Sequence, residues 1–591
     1  MHDDATTIVP FRGGALERAA WDRLWDAADS GCVRRALGER RARYQRRVEQ
    51  EMAAFARLGL EPGVLLELSW VVRDLIGRGV TFGPGYGPQS GSLLLHLLGL
   101  NGIDPIDHGL PFLGFGRELE ARRLHVRVAS RAEQAELAAA LRRGGATAAA
   151  VPEQGVEVVV GHEPGLALTH EMARLARALN GGRDCDPLRW AYPWDDPETL
   201  RLIARGETAG IPLLEDTQLQ ERLREAAPRS LEEVTQVVVV AREGAPHGLQ
   251  ERYRAARTGA ARPPLPHPDL EDILAPTGHV WLYREQVIAA LARLLGCELA
   301  EAVALAQRLS EEGSEAHEGE LSRQLGERVA SHCQLPHARG LYLLRALRQA
   351  LAQVVDRAAV LIDVTEAYRQ AYYKARYPAV FQAARLNRAL QRVNPRTGAR
   401  YGAGGGPDGV ACPHREALVA LCREALSDGV TILPPDINRS DWGFRALDRD
   451  TVLFGLGAIA QIDRQTAERL VLRRRGGEYR SLMDLIIRGF GGAAPSAQIE
   501  PLIFSGALEE FGRDRWRLRR ELDEAQDQKP WRYAASSRST PCESAGFEAW
   551  QDVHPGEGWA FQRELDVLAC VPSRQYFPEP APAERRLRPV R

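Results

Sequence analysis

Apolar residues at helical spacing, interleaved with arginine, run through residues 284–310, 320–354, 360–391 and 414–427. Stretches of this kind bury one face and solvate the other, so each is expected to form amphipathic helix. Residues 15–58 carry the same pattern with a basic face (Arg34, Arg35, Arg40, Arg41, Arg43, Arg46, Arg47), and Val64 to Ile76 is a further apolar run. Only two short β-branched runs, VEVVV at 156–160 and QVVVVA at 236–241, read as buried strands. The pattern therefore predicts an α+β chain that is mainly helical, with little sheet.

The 591 residues are 44% hydrophobic. At roughly 150 residues per domain this predicts three or four domains. The 77 basic and 79 acidic side chains leave a formal charge of -2, so any contact with a polyanion has to be a local patch. Cys32, Cys185, Cys297, Cys333, Cys412, Cys422, Cys542 and Cys570 are scattered without a CxxC pair. They are expected to be reduced thiols: Cys333 with His337, and Cys412 with His414, offer two ligands each, too few for a closed metal site. The first residues lack a positive leader with an apolar core, and no apolar stretch approaches the roughly 20 residues of a membrane span. A cytoplasmic protein with no membrane partner is expected.

Residues 83–93, GPGYGPQSGSL, place Gly83, Gly85, Gly87 and Gly91 before a leucine run, the shape of a loop feeding a helix N-terminus. This loop and the following GLNGIDPIDHGLPF resemble the GPGRGSxxGSL loop and adjoining palm segment of the bacterial DNA polymerase III alpha subunit and its error-prone C-family relatives. DDPETLRLIARGETAGIPLLED (195–216) and PHPDLEDILAPTGHVWLYREQVIAALARLLG (266–296) resemble that family's fingers. AYYKARYPAVFQAARLN (371–387) and ILPPDINRSDWGF (432–444) resemble its next segments, and VLFGLGAIAQIDRQTAERLVLRR with YRSLMDLIIR resembles its helix-hairpin-helix region.

The resemblance covers roughly residues 40–572. It implies a nucleotidyltransferase-like palm remnant, helical fingers and a helix-hairpin-helix region. The expected order is an N-terminal extension (1–40), a degenerate palm with the thumb largely absent (41–194), fingers (195–392), a linker (393–412), and the fingers' end with the hairpin region (413–526). A linker and tail (527–591) follow, with a short family-like segment at 559–572. The family's metal-dependent PHP domain is not expected before residue 40, nor its OB-fold after the end.

The family's nucleotidyl transfer uses carboxylates that hold two Mg²⁺ ions about 4 Å apart. Matched without a gap, its PDxDxD strand puts the first two aspartates on His125 and Arg127 and the third on Ala129, and its remaining aspartate on or beside His162. Arg127 would repel Mg²⁺, and His125 is a poor ligand for so hard an ion. Glu163 is a shifted-ligand candidate, expected on the opposite strand face from His162.

In the degenerate phosphate-binding loop (Gly85, Tyr86, Gly87, Pro88, Gly91, Ser92) the family arginine is Tyr86 and a serine is Pro88, which also lacks a backbone N–H. In the triphosphate site of the fingers, Arg308 is followed by Glu311 and Glu312 where lysines stand in the family, and the KSH segment matches Arg357, Ala358 and Ala359. No catalytic residue and no metal or cofactor is therefore expected. The rival reading is a divergent error-prone polymerase with relocated carboxylates, Glu118 with Glu120 or Asp104 with Asp107, and with Mg²⁺.

Contacts to the DNA backbone are expected from Lys374, Arg376, Gly455, Gly457, Arg464, Arg473 and Arg474, with Arg469 and Arg475 beside them, although the family's GVG turn reads QID, ending on Asp463. AGFEAW (545–550) is a weak match to a clamp-binding segment, and Trp531, Phe547 and Trp550 are either partner anchors or core residues. The partners the resemblance implies are DNA, primed or single-stranded, and replication or translesion-synthesis proteins.

Overall fold

The computed structural model describes residues 7–11, 26, 39–57, 62–83, 85, 88–114, 123–143, 156–179, 193–311, 320–393, 413–512 and 514–527. The chain divides into two compact units, residues 1–170 with 186–372, and residues 171–185 with 373–591. The division at 372/373 falls inside residues 195–392, the stretch expected as fingers. As the sequence predicts, the described elements are mostly helices around small sheets.

The first unit opens with strand β1 (Thr7–Phe11), α1 (Glu39–Arg57), α2 (Pro62–Gly77) and the short α3 (Leu93–Leu97). Strand β2 (Arg123–Val128), α4 (Arg131–Arg143) and β3 (Val156–His162) form a β-α-β unit in which β2 and β3 pair in parallel, and β1 adds antiparallel to the other edge of β3. Leu124, Val126 and Val128 are buried while Arg123, His125 and Arg127 are not, so the pleat separates a core face from a polar face. The core face joins Tyr44, Phe55, Leu65, Leu68, Leu137 and Leu141 in one cluster.

Helices α5 (Pro164–Leu179), α6 (Pro197–Ala204), α7 (Thr217–Ala226), α8 (Leu231–Ala241) and α9 (Leu249–Arg257) follow. Next come α10 (Arg284–Leu295), α11 (Leu299–Glu311), α12 (Glu320–His332), α13 (His337–Leu351) and α14 (Arg357–Arg376). Leu270, Val287, Leu291, Leu294, Val329, Leu343 and Leu347 centre a second core.

The valine run at 236–241, expected as a strand, lies inside α8. Ser230 caps that helix by accepting from Glu233 N, two glutamates occupy its first turn, and it is buried on nearly every side. The β-branched run reports burial here, and the capping residues decide the geometry.

In the second unit, α15 (Pro378–Val393) packs on α16 (Pro413–Ser427). A three-stranded sheet has β4 (Thr431–Leu433) parallel to the central β6 (Thr451–Leu453), and β5 (Arg445–Ala446) antiparallel to it. Helices α17 (Arg464–Arg473), α18 (Ser496–Phe504) and α19 (Arg515–Asp527) complete it. No helix among the described residues is long and apolar enough to cross a membrane.

Candidate functional site

Strand β2 presents His125 and Arg127 on its polar face. Arg127 Nη1 lies 2.9 Å from Oδ1 of Asp363, on α14, a partner 236 residues away in sequence. In the β2–β3 register Arg127 pairs with Gly161 and Val128 with His162. Glu163, one residue further on, therefore has the parity of Arg127. Its Oε1 accepts from Gly165 N at 3.1 Å, and its own N–H donates to Val128 O. The residues on this face do not suit a pair of divalent cations: a guanidinium sits among them, already ion-paired. No three His, Cys, Asp or Glu side chains converge as a metal would require among the described residues.

The glycine-rich turn lies against β2. Gly83 N donates to Arg127 O at 2.9 Å, and a Cβ on Gly83 would stand 2.2 Å from Leu166 Cδ1. A Cβ on Gly85 would come within 3.3 Å of His125 O, so the turn approaches β2 closely at both glycines. Pro88 begins a single 3₁₀ turn to Gly91; Tyr86 and Gly87 lie outside the described residues, as do Glu118, Glu120, Glu312 and everything after residue 527.

Ser92 caps α3, and this helix start is filled by the protein's own carboxylate. Glu51, fully buried on α1, accepts from Leu93 N and Leu94 N at 2.9 Å each and from Ser92 Oγ at 2.6 Å. Arg47 Nε also donates to it at 2.6 Å, while Arg47 Nη2 reaches Gly91 O at 2.8 Å. Asp104 is similarly engaged. Its Oδ1 accepts from Ile106 N at 3.0 Å and Asp107 N at 3.4 Å, and its Oδ2 from the Tyr44 hydroxyl.

Arg357 opens α14 within a closed network. Its Nε and Nη2 lie 3.1 and 2.7 Å from Glu232 Oε2, and Nη2 also donates to His108 O at 3.1 Å. The half-buried Glu285 accepts from the backbone N–H groups of Arg357 and Ala358, and desolvation raises its pKa. Arg357, expected to match a cation of the KSH segment, is thus held by a carboxylate. Arg308 and Glu311 stand exposed in the last turn of α11.

Within the second unit, Lys374 Nζ is 3.8 Å from Asp428 Oδ2 and lies over the Phe381 ring, and Arg376 is half-buried. Gly455 and Gly457 pack against Trp442: a Cβ on Gly457 would fall 2.4 Å from its Nε1, and one on Gly455 would fall 2.7 Å from its carbonyl oxygen. Arg464 covers the same indole at 4.6 Å and pairs with Glu468. Arg474 is drawn inward, donating to the Ile437 and Ser440 carbonyls and to Asp441 at 3.0 Å, and its burial lowers its pKa. Arg473 donates to Arg488 O, and Arg475 is exposed. Of the expected backbone contacts, Arg464, Arg469, Arg473 and Arg475 are exposed.

The turn before α17 reads Gln461, Ile462, Asp463 and contains no glycine. Gln461 holds a left-handed backbone, φ 67°, where a glycine costs least. Asp463 caps α17, accepting from Thr466 N at 2.6 Å. Asp463→Ala is expected to lower the unfolding free energy by about 1 kcal/mol, read by urea denaturation; an unchanged midpoint would remove the cap from the account.

Sequence reasoning missed Glu51, Glu232, Glu285, Asp363 and Trp442. Asp463 alone had a local signal, an aspartate three residues before Thr466 at a helix start.

Residues 22–122 match the family described as bacterial DNA polymerase III alpha NTPase domain, 170–330 the bacterial DNA polymerase III alpha subunit finger domain, and 429–518 a helix-hairpin-helix motif. DNA polymerase III subunit alpha of Halalkalibacterium halodurans is 29% identical over 333 residues, covering 56% of this chain and 27% of the relative. The Thermus aquaticus protein of that name is 28% identical over 336 residues, covering 56% and 25%. That of Escherichia coli K12 is 25% identical over 362, covering 60% and 29%. The matched part thus spans between a quarter and a third of these relatives' length. Three successive regions of the chain are thus similar to parts of the bacterial DNA polymerase III alpha subunit.

Proposed function

We propose that this chain does not polymerise DNA and acts as a DNA- or protein-binding factor in DNA replication or damage tolerance, in the cytoplasm. The observation that carries the reading is Arg127. At the strand position matched to a metal-binding aspartate, a guanidinium is held by Asp363, which opposes the charge that two Mg²⁺ ions require.

Three further features point the same way. Glu51, Glu285 and Asp463 each occupy backbone N–H groups at a helix start within a segment matched to the family's phosphate or DNA contacts. The relocated-carboxylate alternative finds little support in Asp104, whose two oxygens already serve a turn and a tyrosine.

On a single preparation, primer extension with Mg²⁺ or Mn²⁺ is expected to give no product. Primed or single-stranded DNA should bind with an affinity that falls as salt rises, through exposed arginines such as Arg473 and Arg475. Template-directed incorporation that tracks the protein through purification would overturn the proposal.

A further inference from the structure

The geometry points to a small-molecule site in the first unit, on residues that the polymerase resemblance does not single out, whose ligand class is a nucleoside monophosphate. Helices α7, α8 and α9 bound a half-open cavity of about 490 Å³, within the range of roughly 300–1,000 Å³ typical of ligand pockets.

Its floor is apolar, from Val237 and Val240 of α8, and the Tyr253 ring of α9 forms a wall. The Tyr253 hydroxyl is committed to Gln236 Oε1 at 2.9 Å, so this wall offers a ring rather than a donor.

Four arginines line the cavity, and their pairing is unequal. Arg257 is bound to Glu233 at 2.6 Å, and Arg222 to Glu225 at 3.1 Å. Glu233 Oε2, which takes the Arg257 guanidinium, also accepts the backbone N–H of Arg229 at 2.8 Å, so that oxygen serves two donors. The guanidinium groups of Arg229 and Arg254 are exposed and make no ion pair among the described residues; Glu251 is the lining carboxylate without a cation there. The lining therefore carries one net positive charge, concentrated in two donor forks above an apolar floor.

A guanidinium fork matches the oxygens of a phosphate, and the floor with its ring wall accepts a flat, partly apolar body. A bare anion would leave that floor in contact with water, and a neutral heterocycle would leave the forks unused. A nucleoside monophosphate engages both. The inference does not depend on whether the chain binds DNA.

Equilibrium dialysis of the full chain against deoxyadenosine monophosphate at low salt is expected to show saturable binding at one site. The variant R229A/R254A removes two exposed side chains without ion pairs, so its thermal unfolding should match the parent. Its affinity should drop at least about tenfold. Inorganic phosphate should compete at least about tenfold less well than the nucleotide, because it cannot use the floor. Absence of saturable binding at millimolar nucleotide, or equal binding by the variant, overturns the site. Equal competition by phosphate overturns the ligand class. Loss of single-stranded DNA binding in a variant whose parent ignores the nucleotide assigns the arginines to DNA and overturns the site as well.

Discussion

Replacing Glu51 by leucine is expected to lower the stability of the first unit by about 3–5 kcal/mol. The carboxylate has no solvent exposure and accepts four donors, two of them backbone N–H groups at the start of α3. Without it, Leu93 N and Leu94 N lose their acceptor, and the guanidinium of Arg47, only 11% exposed, is left without its counter-charge. Removing both charges should cost less than removing one, because no ion is then stranded. The double variant E51L/R47L is accordingly expected to recover part of the loss, although Arg47 also ties Gly91 O and Leu110 O. Urea unfolding of the parent, both single variants and the double variant gives the coupling energy. Strict additivity would show that the two side chains act independently, against the geometry.

The same residue explains why the loop does not advertise its state in sequence. The glycines, Ser92 and the leucine run are legible as a loop entering a helix, and that is what forms. What fills the helix start comes from α1, 41 residues earlier, and no local pattern encodes it. The ion pair of Arg127 with Asp363 is likewise a product of tertiary folding, so sequence could show an arginine at 127 but not its partner. Strand β3 is readable as a buried β-branched run, and β2 from its match to the family's PDxDxD strand. The valines of α8 misled because burial on all sides produces the same composition in a helix as in a strand. Strand β1 carried no periodic signal, being five residues at the edge of a sheet built by distant segments.

These replacements share one electrostatic logic. Converging N–H groups and cations repel one another when no anion lies among them. Intramolecular carboxylates relieve that repulsion at Glu51, Glu285 and Glu232, and the fold keeps its helix starts. A phosphate approaching these helix starts would have to displace an internal carboxylate that is tethered and already hydrogen-bonded.

Acid is expected to weaken the first unit through His108, by up to about 3 kcal/mol. Burial, together with the nearby Arg357 and Arg369 guanidiniums, depresses its pKa from 6.5 to about 4, against the opposing pull of Asp104 and Glu232. Its ring meets the edge of Trp194 at 5.5 Å, and that indole in turn packs on Tyr368. Above the unfolded pKa both states hold a neutral imidazole, and the folded form pays no penalty. Between pH 6.5 and about 4 the unfolded chain binds a proton that the folded chain refuses, so stability falls with acidification. Below about 4 both are protonated and the loss levels off. The phenylalanine variant H108F keeps an aromatic edge against Trp194 and cannot titrate. The difference between parent and variant unfolding free energies should therefore slope across that window and be flat above about pH 7. Parallel curves from about pH 7 to 4 would show that His108 ionises in the folded state as freely as in the unfolded chain.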